Sequence, residues 1–487
     1  MKSKFNRAIY IFILPILCFA SGCSTLKPPP TPDKMWVPPV RDKISSKRIS
    51  VSPAKGKEMI SASTPLTLAQ CVDVALANSP STQEAWIRAR KAEAELKQSE
   101  SEWYPKVKGY LNANLQKQNL NYETSKTVDE HSNYGPALSV TYLLFDFGGR
   151  DSRVRKAVET LRMSNFLFNQ AMQDLVLEVE VAYYSLYTAQ KAVEIGNANV
   201  RDAQKILYLT KRKYEIGLVP SVDVHKARAR CEDELYTLAQ AEGSNQTSKA
   251  NLAKALGLPA DIEFEITMPS DDVMIYMAKE GVAELIEEGL ANRSDISALR
   301  ANVIAKEAAV TAANSSLWPR ISAEVSASRN DYNYYRSVVP ELNDDNKFAG
   351  FVGLTWDIFD GFYNWNVKRA AERDLELSKQ QLIKTELKTS ADIWSAYYDF
   401  KASGSKRKHS RAFLNEAQTT FGMVVKGYEA GLQNILDLLT AQRDLSDARI
   451  KKIRGKIDWF VSLAKLIHSA GGLSAQKDID EKVLGPR

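Results

Sequence analysis

The stretch from Gly149 to Gly217 constrains the fold more than any other part of the chain. It contains no proline and, apart from Gly196, no helix-breaking residue before its end. A single helix of this length would extend on the order of 100 Å, whereas helices in globular domains average three or four turns. Such a helix needs partner helices along its length. The stretch therefore predicts a long coiled rod or tube.

The apolar residues of this stretch repeat every seven positions, and large residues alternate with small ones. A sustained seven-residue repeat specifies left-handed supercoiling against partner helices, and small positions allow those helices to approach closely. The large members are Val179, Leu186, Val193, Val200, Leu207 and Tyr214, and the small members are Ala182, Ala189, Gly196, Ala203, Thr210 and Gly217.

The N-terminus has the pattern of a secretory signal. Residues 1–22 combine a basic start, a short apolar run and small residues directly before Cys23. The run is too short to span a membrane. Small residues before a cysteine resemble a bacterial lipobox, so we expect Cys23 to be lipidated, although Ala20 stands where that motif usually has leucine. The alternative is ordinary cleavage with an incidental cysteine.

Residues 23–65 form the expected lipidated N-terminus and a proline-rich linker. Eight prolines lie between positions 28 and 65, among Ser and Lys, which predicts an extended, semi-rigid segment. Removal of the signal lowers the formal charge from +6 to about +3, which is not the footprint of a nucleic-acid-binding protein. Cys71 and Cys231 either pair or, as we expect, are buried thiols.

The chain contains its own copy. When the sequence is aligned with itself at an offset of 214 positions, the same landmarks recur over roughly 190 residues, which indicates a tandem duplication. The matches include Pro105 with Pro319, Phe145-Asp146 with Phe359-Asp360, Tyr214 with Tyr428, Gly217 with Gly431, Asp223 with Asp437, and Gly257 with Gly471.

Each copy predicts the same order of elements: a helix, a hairpin, a long helix, a tight turn and a return helix. The first copy covers 66–279, with its hairpin at about 105–146 and its turn at about 214–224. The second covers 280–472, with its hairpin at about 319–359 and its turn at about 428–438. A tail, 473–487, follows. Thr67 and Gln70 have the spacing of a capping box, and we expect the first helix to continue to Trp103.

The hairpins alternate apolar and polar residues, which predicts strands of about ten residues with one apolar face. In the first hairpin a polar loop is expected between the strands, up to about Pro136. This length and pattern are typical of transmembrane barrel strands, and the alternative is a soluble hairpin packed on a helix. Four strands cannot close a barrel, and lipid tolerates no open sheet edge. The membrane interpretation therefore requires several copies to pool their strands.

The turn sequences YEIGLVPSVDV, from Tyr214, and YEAGLQNILDL, from Tyr428, together with the duplication, resemble the TolC-type outer-membrane efflux family over about 66–472. The resemblance implies a homotrimer. Its twelve pooled strands would form an outer-membrane barrel, continuous with a periplasmic tunnel of twelve helices. It also implies an inner-membrane pump and a periplasmic adaptor as partners, with no cofactor and no nucleic acid.

The same resemblance assigns roles at the two turns. It implies a closing hydrogen bond between Asp223 and Tyr428, and an acidic ring at Asp437 that favours cations. Gln433 and Val222 depart from the family's closing pair, and Thr440 replaces a second ring aspartate. Each aspartate alternatively acts as a helix-start residue. The adaptor-docking residues are expected to be Gly217, Leu218, Val219, Gly431 and Leu432.

Two other classes of function compete with a channel. An enzyme is disfavoured, because the four histidines have no metal-ligand spacing and the chain has neither a phosphate-binding glycine loop nor a nucleophile elbow. A non-conducting coiled-coil tether anchored by lipid explains the heptads and the linker, but it gives the amphipathic hairpins no role. The exported cargo is not encoded in any motif that we identify.

Overall fold

The computed structural model describes residues 27–29, 31–36, 65–122, 125–267, 281–336 and 344–472. The predicted signal, Cys23 and the tail 473–487 lie outside these residues. The elements, in chain order, are α1 (Leu68–Asn78), α2 (Pro80–Glu100), β1 (Lys106–Tyr122), β2 (Ser125–Phe145), α3 (Gly149–Glu215), α4 (Ser221–Ala255), α5 (Val282–Asn292), α6 (Ser294–Ser315), β3 (Arg320–Arg336), β4 (Asp344–Thr355), α7 (Tyr363–Glu429) and α8 (Ile435–Ser469).

The long helices of the two copies are equal in length, and so are the return helices. The long helices α3 and α7 have 67 residues each, and the return helices α4 and α8 have 35 residues each. The predicted architecture, mainly helical and internally duplicated with two hairpins, is confirmed. Among the described residues, no helix is both long and apolar enough to cross a membrane.

Four of the six small residues of the predicted heptad seam are buried, as close helix packing requires: Ala189, Gly196, Ala203 and Thr210. Ala203 and Thr210 are 1% and 0% exposed. A Cβ added to Gly196 would lie 3.0 Å from Leu238 Cδ1 of α4, so the absence of a side chain admits that leucine. At the end of the seam Tyr214 is exposed, because the helix ends there.

The first helix is shorter than the sequence predicts. The capping box at Thr67 and Gln70 is present, but the helix ends at Asn78 instead of continuing to Trp103. Ser79 is extended, with φ −63° and ψ 126°, because a residue that precedes proline is disfavoured in the helical region. Pro80 then begins α2, where its missing N–H costs nothing.

The four strands form one antiparallel sheet in the order β1-β2-β3-β4. β1 and β2 have 17 and 21 residues, so the predicted ten-residue strands and the polar loop up to Pro136 are wrong. Their pairing continues as far as Tyr122 opposite Ser125. Cross-strand contacts support the extension: Lys117 forms an ion pair of 3.1 Å with Glu130, its direct partner in the register.

The chain divides into two compact units, each built from segments of both copies. The first contains the sheet and the helical segments that adjoin it, within residues 90–163 and 299–382. In this unit each strand–helix turn carries an aspartate that accepts a hydrogen bond from the helix start: Asp146 from Arg150 N at 2.7 Å, and Asp360 from Asn364 N at 2.9 Å. These aspartates satisfy first-turn N–H groups and complement the helix dipole.

The second unit holds the largest described apolar core. Cys71, Leu252 and Tyr183 are fully buried there, and the Tyr184 and Phe460 rings stack with centroids 5.3 Å apart. Cys71 and Cys231 are both free and buried, as expected, and burial raises the pKa of the Cys71 thiol to about 12. This thiol is therefore not a nucleophile at neutral pH.

Part of the proline-rich segment also packs in the second unit. Trp36 is buried with its ring edge-on to Phe166, at 5.1 Å between centroids. The Asn169 side chain pairs with the Trp36 backbone through two hydrogen bonds of 2.7 Å, and Trp86 donates to the carbonyl of Pro29 at 2.9 Å. Within the predicted proline-rich linker, the described residues 31–36 thus contact the helices through Trp36.

Candidate functional site

The first turn, between α3 and α4, is a helix end of the Schellman type. The Leu218 N–H donates to the Lys213 carbonyl at 2.8 Å, and the Gly217 N–H donates to the Tyr214 carbonyl at 2.9 Å. Gly217 has φ +75°, a conformation that glycine adopts without steric cost. Pro220 then precedes α4, where Asp223 lies in the first turn with Lys226 at 3.5 Å.

The second turn, between α7 and α8, repeats this geometry. The Leu432 N–H donates to the Gly427 carbonyl at 2.8 Å, and Gly431 has φ +81°. Asn434 caps α8 by accepting a hydrogen bond from the Asp437 N–H at 3.0 Å. The two turns therefore have the same backbone conformation, and each reverses the chain direction between two long helices.

Both turns expose apolar side chains. Leu218 and Leu432 are 67% and 83% exposed, and Val219 is half-buried. A defined backbone that presents exposed leucines is a surface suited to a protein partner. Of the residues predicted for the constriction, Gln433, Asp437 and Thr440 are exposed and Asp223 is half-buried.

Tyr428 is the exception, because it is 2% exposed and lies in a cluster with Ile206, Ala227, Ile435 and Leu438. The predicted hydrogen bond between Asp223 and Tyr428 is wrong within the chain. The Tyr428 hydroxyl instead donates to Thr210 Oγ1 at 3.2 Å. The reason is packing: burial of the ring in this cluster directs the hydroxyl at α3 rather than at the first turn of α4.

Two further residues of α3 join Tyr428, and sequence reasoning missed both roles. The Lys213 ammonium donates to the Tyr428 carbonyl and lies 4.6 Å from the centre of the Tyr428 ring. Thr210 accepts from the hydroxyl as described. Their counterparts in the second copy are Val424 and Gly427, which have no polar side chain. This difference between two otherwise matching copies is the sequence feature that could have indicated a special role for Thr210 and Lys213.

Farther from the turns, a polar cluster connects α3 with α8. Arg449 Nη1 donates to Asn199 Oδ1 at 2.6 Å and to Asp202 Oδ2 at 2.9 Å. Asn199, only 2% exposed, donates in turn to Ser446 Oγ at 2.6 Å. We call these contacts and the Tyr428 contacts together the tip latch, with members Asn199, Asp202, Thr210, Lys213, Tyr428, Ser446 and Arg449.

A buried carboxylate on α4 borders the latch. Glu234 is 2% exposed and pairs with Arg230. The pKa of Glu234 is raised above its ordinary value, because burial outweighs the lowering by Arg230 and by the hydrogen bond from Asn199. A buried ion pair contributes little net stability, because the cost of desolvation offsets the attraction between the charges. Glu234 of α4 is influenced by Asn199 of α3 and Arg449 of α8, so polar groups of three helices meet here.

Comparison with known families gives one match that covers most of the chain. A family model described as outer membrane efflux protein matches residues 71–258 and 285–472. The two matched ranges begin 214 residues apart (285 against 71), which is the offset of the internal duplication.

Individual relatives and solved structures agree with that match. Protein CyaE of Bordetella pertussis is 25% identical over 408 residues, which cover 84% of each chain. The pyoverdine export outer membrane protein OpmQ of Pseudomonas putida is 23% identical and covers 95% of this chain and 97% of its own. The CmeC outer membrane channel of Campylobacter jejuni has the same fold, with a TM-score of 0.74 at 16% identity over 92% of this chain and 97% of that chain.

Proposed function

Because the chain belongs to the outer membrane efflux protein family, we propose that three copies of it form the passive exit duct of a tripartite export system. The protein is an outer-membrane efflux channel component, and its family consists of transport channels rather than enzymes. The observation that carries the trimeric proposal is the four-stranded sheet. Over the described residues it leaves the outer edges of β1 and β4 without a partner strand, and it exposes apolar side chains.

The sheet by itself is incomplete as a membrane structure. Val107, Leu111 and Leu115 on β1 are 61%, 83% and 74% exposed, and three large apolar residues of β4 are similarly exposed: Phe348, Val352 and Leu354. Lipid would cover such side chains, but it cannot satisfy the backbone groups of edge strands. Pairing of β1 of one copy with β4 of the next satisfies both edges, and three copies give a closed barrel of twelve strands.

In the second unit, the two turns serve as the gate and as the contact surface for a partner. We assign adaptor docking to the exposed turn residues Gly217, Leu218, Val219, Gly431 and Leu432, and delivery of cargo to an inner-membrane pump. The tip latch holds the α7–α8 hairpin against α3 in the closed state. Three copies of Asp437 around the axis would form a ring that favours cations.

A further part of the proposal concerns anchoring. Lipidation of Cys23 would fix the chain to the inner leaflet of the outer membrane, and the Trp36 contacts with Asn169 and Phe166 would hold the following segment on the helices. Trp36 follows Cys23 by 13 positions. A fully extended chain of that length reaches roughly 45 Å.

The test is planar-bilayer conductance of the purified full-length protein, beside Asp437→Ala and the matched control Asp444→Ala, which removes an exposed carboxylate from the same helix. We expect discrete, small, cation-preferring openings from the wild type and the control. We expect weaker cation preference or larger openings from Asp437→Ala. An inserted, stable trimer that conducts no ions would refute the duct and favour the tether, whereas three identical conductances would refute only the ring.

A further inference from the structure

Positive charge is concentrated on one part of the α7–α8 hairpin. Residues 401–411 of α7 contain five Lys or Arg, residues 451–456 of α8 contain four, and neither segment contains an acidic residue. The whole chain has a formal charge of only +6. These two segments therefore carry more positive charge than the protein as a whole, so the remainder must be net negative.

The two basic segments lie side by side. A Cβ added to Gly455 would lie 2.7 Å from Ser410 Oγ, and 3.4 Å from both Arg407 Cα and the Lys406 carbonyl oxygen. The absence of a side chain at position 455 thus allows α8 to approach α7 at backbone distance. As a result, the cationic side chains of both segments project from a single stretch of helical hairpin.

A cavity of about 430 Å³ lies at this approach, and we call it the basic cavity. Lys406, His409, Phe413, Lys451 and Arg454 line it, and the Asp458 carboxylate also reaches it. Its volume is in the range of small-molecule sites. We therefore expect a small occupant.

Part of the positive charge in the cavity is left uncompensated by the described part of the chain. Lys451 forms an ion pair with Asp447 at 2.9 Å, and Arg407 lies over the Trp459 ring at 4.6 Å. By contrast, Lys406 and Arg454 have no carboxylate within ion-pair distance among the described residues, and both are exposed. Like charges one turn apart repel each other. An anion in the cavity would relieve this repulsion and would accept charge-assisted hydrogen bonds from Lys406 and Arg454.

We propose that the basic cavity binds a small multivalent anion, bearing carboxylate or phosphate groups. The guanidinium of Arg454 offers paired donors to such a group, the lysines offer point charges, and Phe413 supplies an apolar wall. This proposal does not rest on the proposed export function, because binding is measured without conductance.

Binding is tested on the purified full-length protein with the fluorescent trisulfonate pyranine as the probe, by fluorescence anisotropy at low salt. The test variant is Lys406→Gln/Arg454→Gln. The matched control, Lys384→Gln/Lys388→Gln, removes two exposed positive charges from α7 outside the cavity. We expect the cavity variant to bind roughly tenfold more weakly, as loss of charge-assisted contacts predicts, and the control to bind as the wild type does. Equal affinities in all three proteins, or equal losses in both variants, would overturn the site.

Discussion

Arg449 is the residue at which the tip latch is best tested, because its Nη1 joins α8 to two groups of α3. Its contacts are with Asn199 at 2.6 Å and Asp202 at 2.9 Å. A hydrogen bond to a charged group contributes about 1.5–3 kcal/mol when it is buried, and surface ion pairs contribute less than about 1 kcal/mol. The Arg449 and Asp202 side chains are 22% and 27% exposed, so we assign about 2 kcal/mol to the pair of contacts in each chain.

Arg449→Gln should therefore favour the open tip. If opening separates α8 from α3, loss of about 2 kcal/mol changes the closed-to-open ratio about 30-fold per chain, and more when three chains open together. The assay is single-channel recording in planar bilayers, where open probability or mean conductance should rise. Arg443→Gln, which removes an exposed arginine of the same helix, should behave as the wild type does.

A double-mutant cycle separates the latch from a general effect of charge. Arg449→Gln and Asp202→Asn should each increase opening, and together they should increase it by less than the sum of their effects on free energy. Unchanged gating in Arg449→Gln, with the trimer intact, would refute the assignment. Full additivity with Asp202→Asn would show that the two residues act independently.

Three further predictions test the turns, a buried carboxylate and the N-terminal segment. In Gly217→Leu or Gly431→Leu, the new leucine must adopt a left-handed backbone conformation, which costs about 1–2 kcal/mol. We expect the trimers to remain intact but to lose export in a cargo efflux assay. Burial raises the pKa of Glu180 to about 7. Stability should therefore fall by up to about 3 kcal/mol as pH rises from about 4.5 to 7, and Glu180→Gln should flatten that decline in Tm. Asn169→Ala removes both hydrogen bonds to Trp36, so trypsin should cleave at Lys34 severalfold faster than in the wild type.

The features that sequence reasoning predicts correctly are those that depend on local chemistry. The capping box at Thr67 works through neighbours three residues apart. The predicted tight turns contain Gly217 and Gly431, and glycine adopts the positive φ found there without steric cost. The duplication can also be predicted from the sequence, because whole elements, and not only single residues, recur at an offset of 214 positions. The proline-free stretch from Gly149 to Gly217 predicts the first long helix, and the duplication then predicts the second.

The features that sequence reasoning misses depend mostly on partners that are distant in the chain. The strands continue into the expected polar loop because the described residues there have cross-strand partners, such as Lys117 with Glu130. The alternation of apolar and polar residues within one strand does not predict which residues pair across strands. The break at Ser79 differs, since Pro80 marks it locally. The partner of Tyr428 depends on which helix its ring packs against, and a turn motif alone does not contain this information.

The two turns also provide a matched experiment within one chain, because their backbones agree while their tyrosines differ. Tyr428 is 2% exposed and donates to Thr210, whereas its counterpart Tyr214 is 49% exposed. Tyr428→Phe keeps the ring and removes one buried hydrogen bond, worth about 1 kcal/mol, which is about a fivefold change in the closed-to-open ratio per chain. Thr210 still donates to the Ile206 carbonyl at 2.8 Å, so the variant should fold. Tyr214→Phe should leave gating unchanged. Because the latch contacts of Tyr428 all come from α3 of the first copy, we assign the closing contact to Tyr428 and none to the exposed Tyr214. Equal gating changes in both tyrosine variants would contradict that assignment.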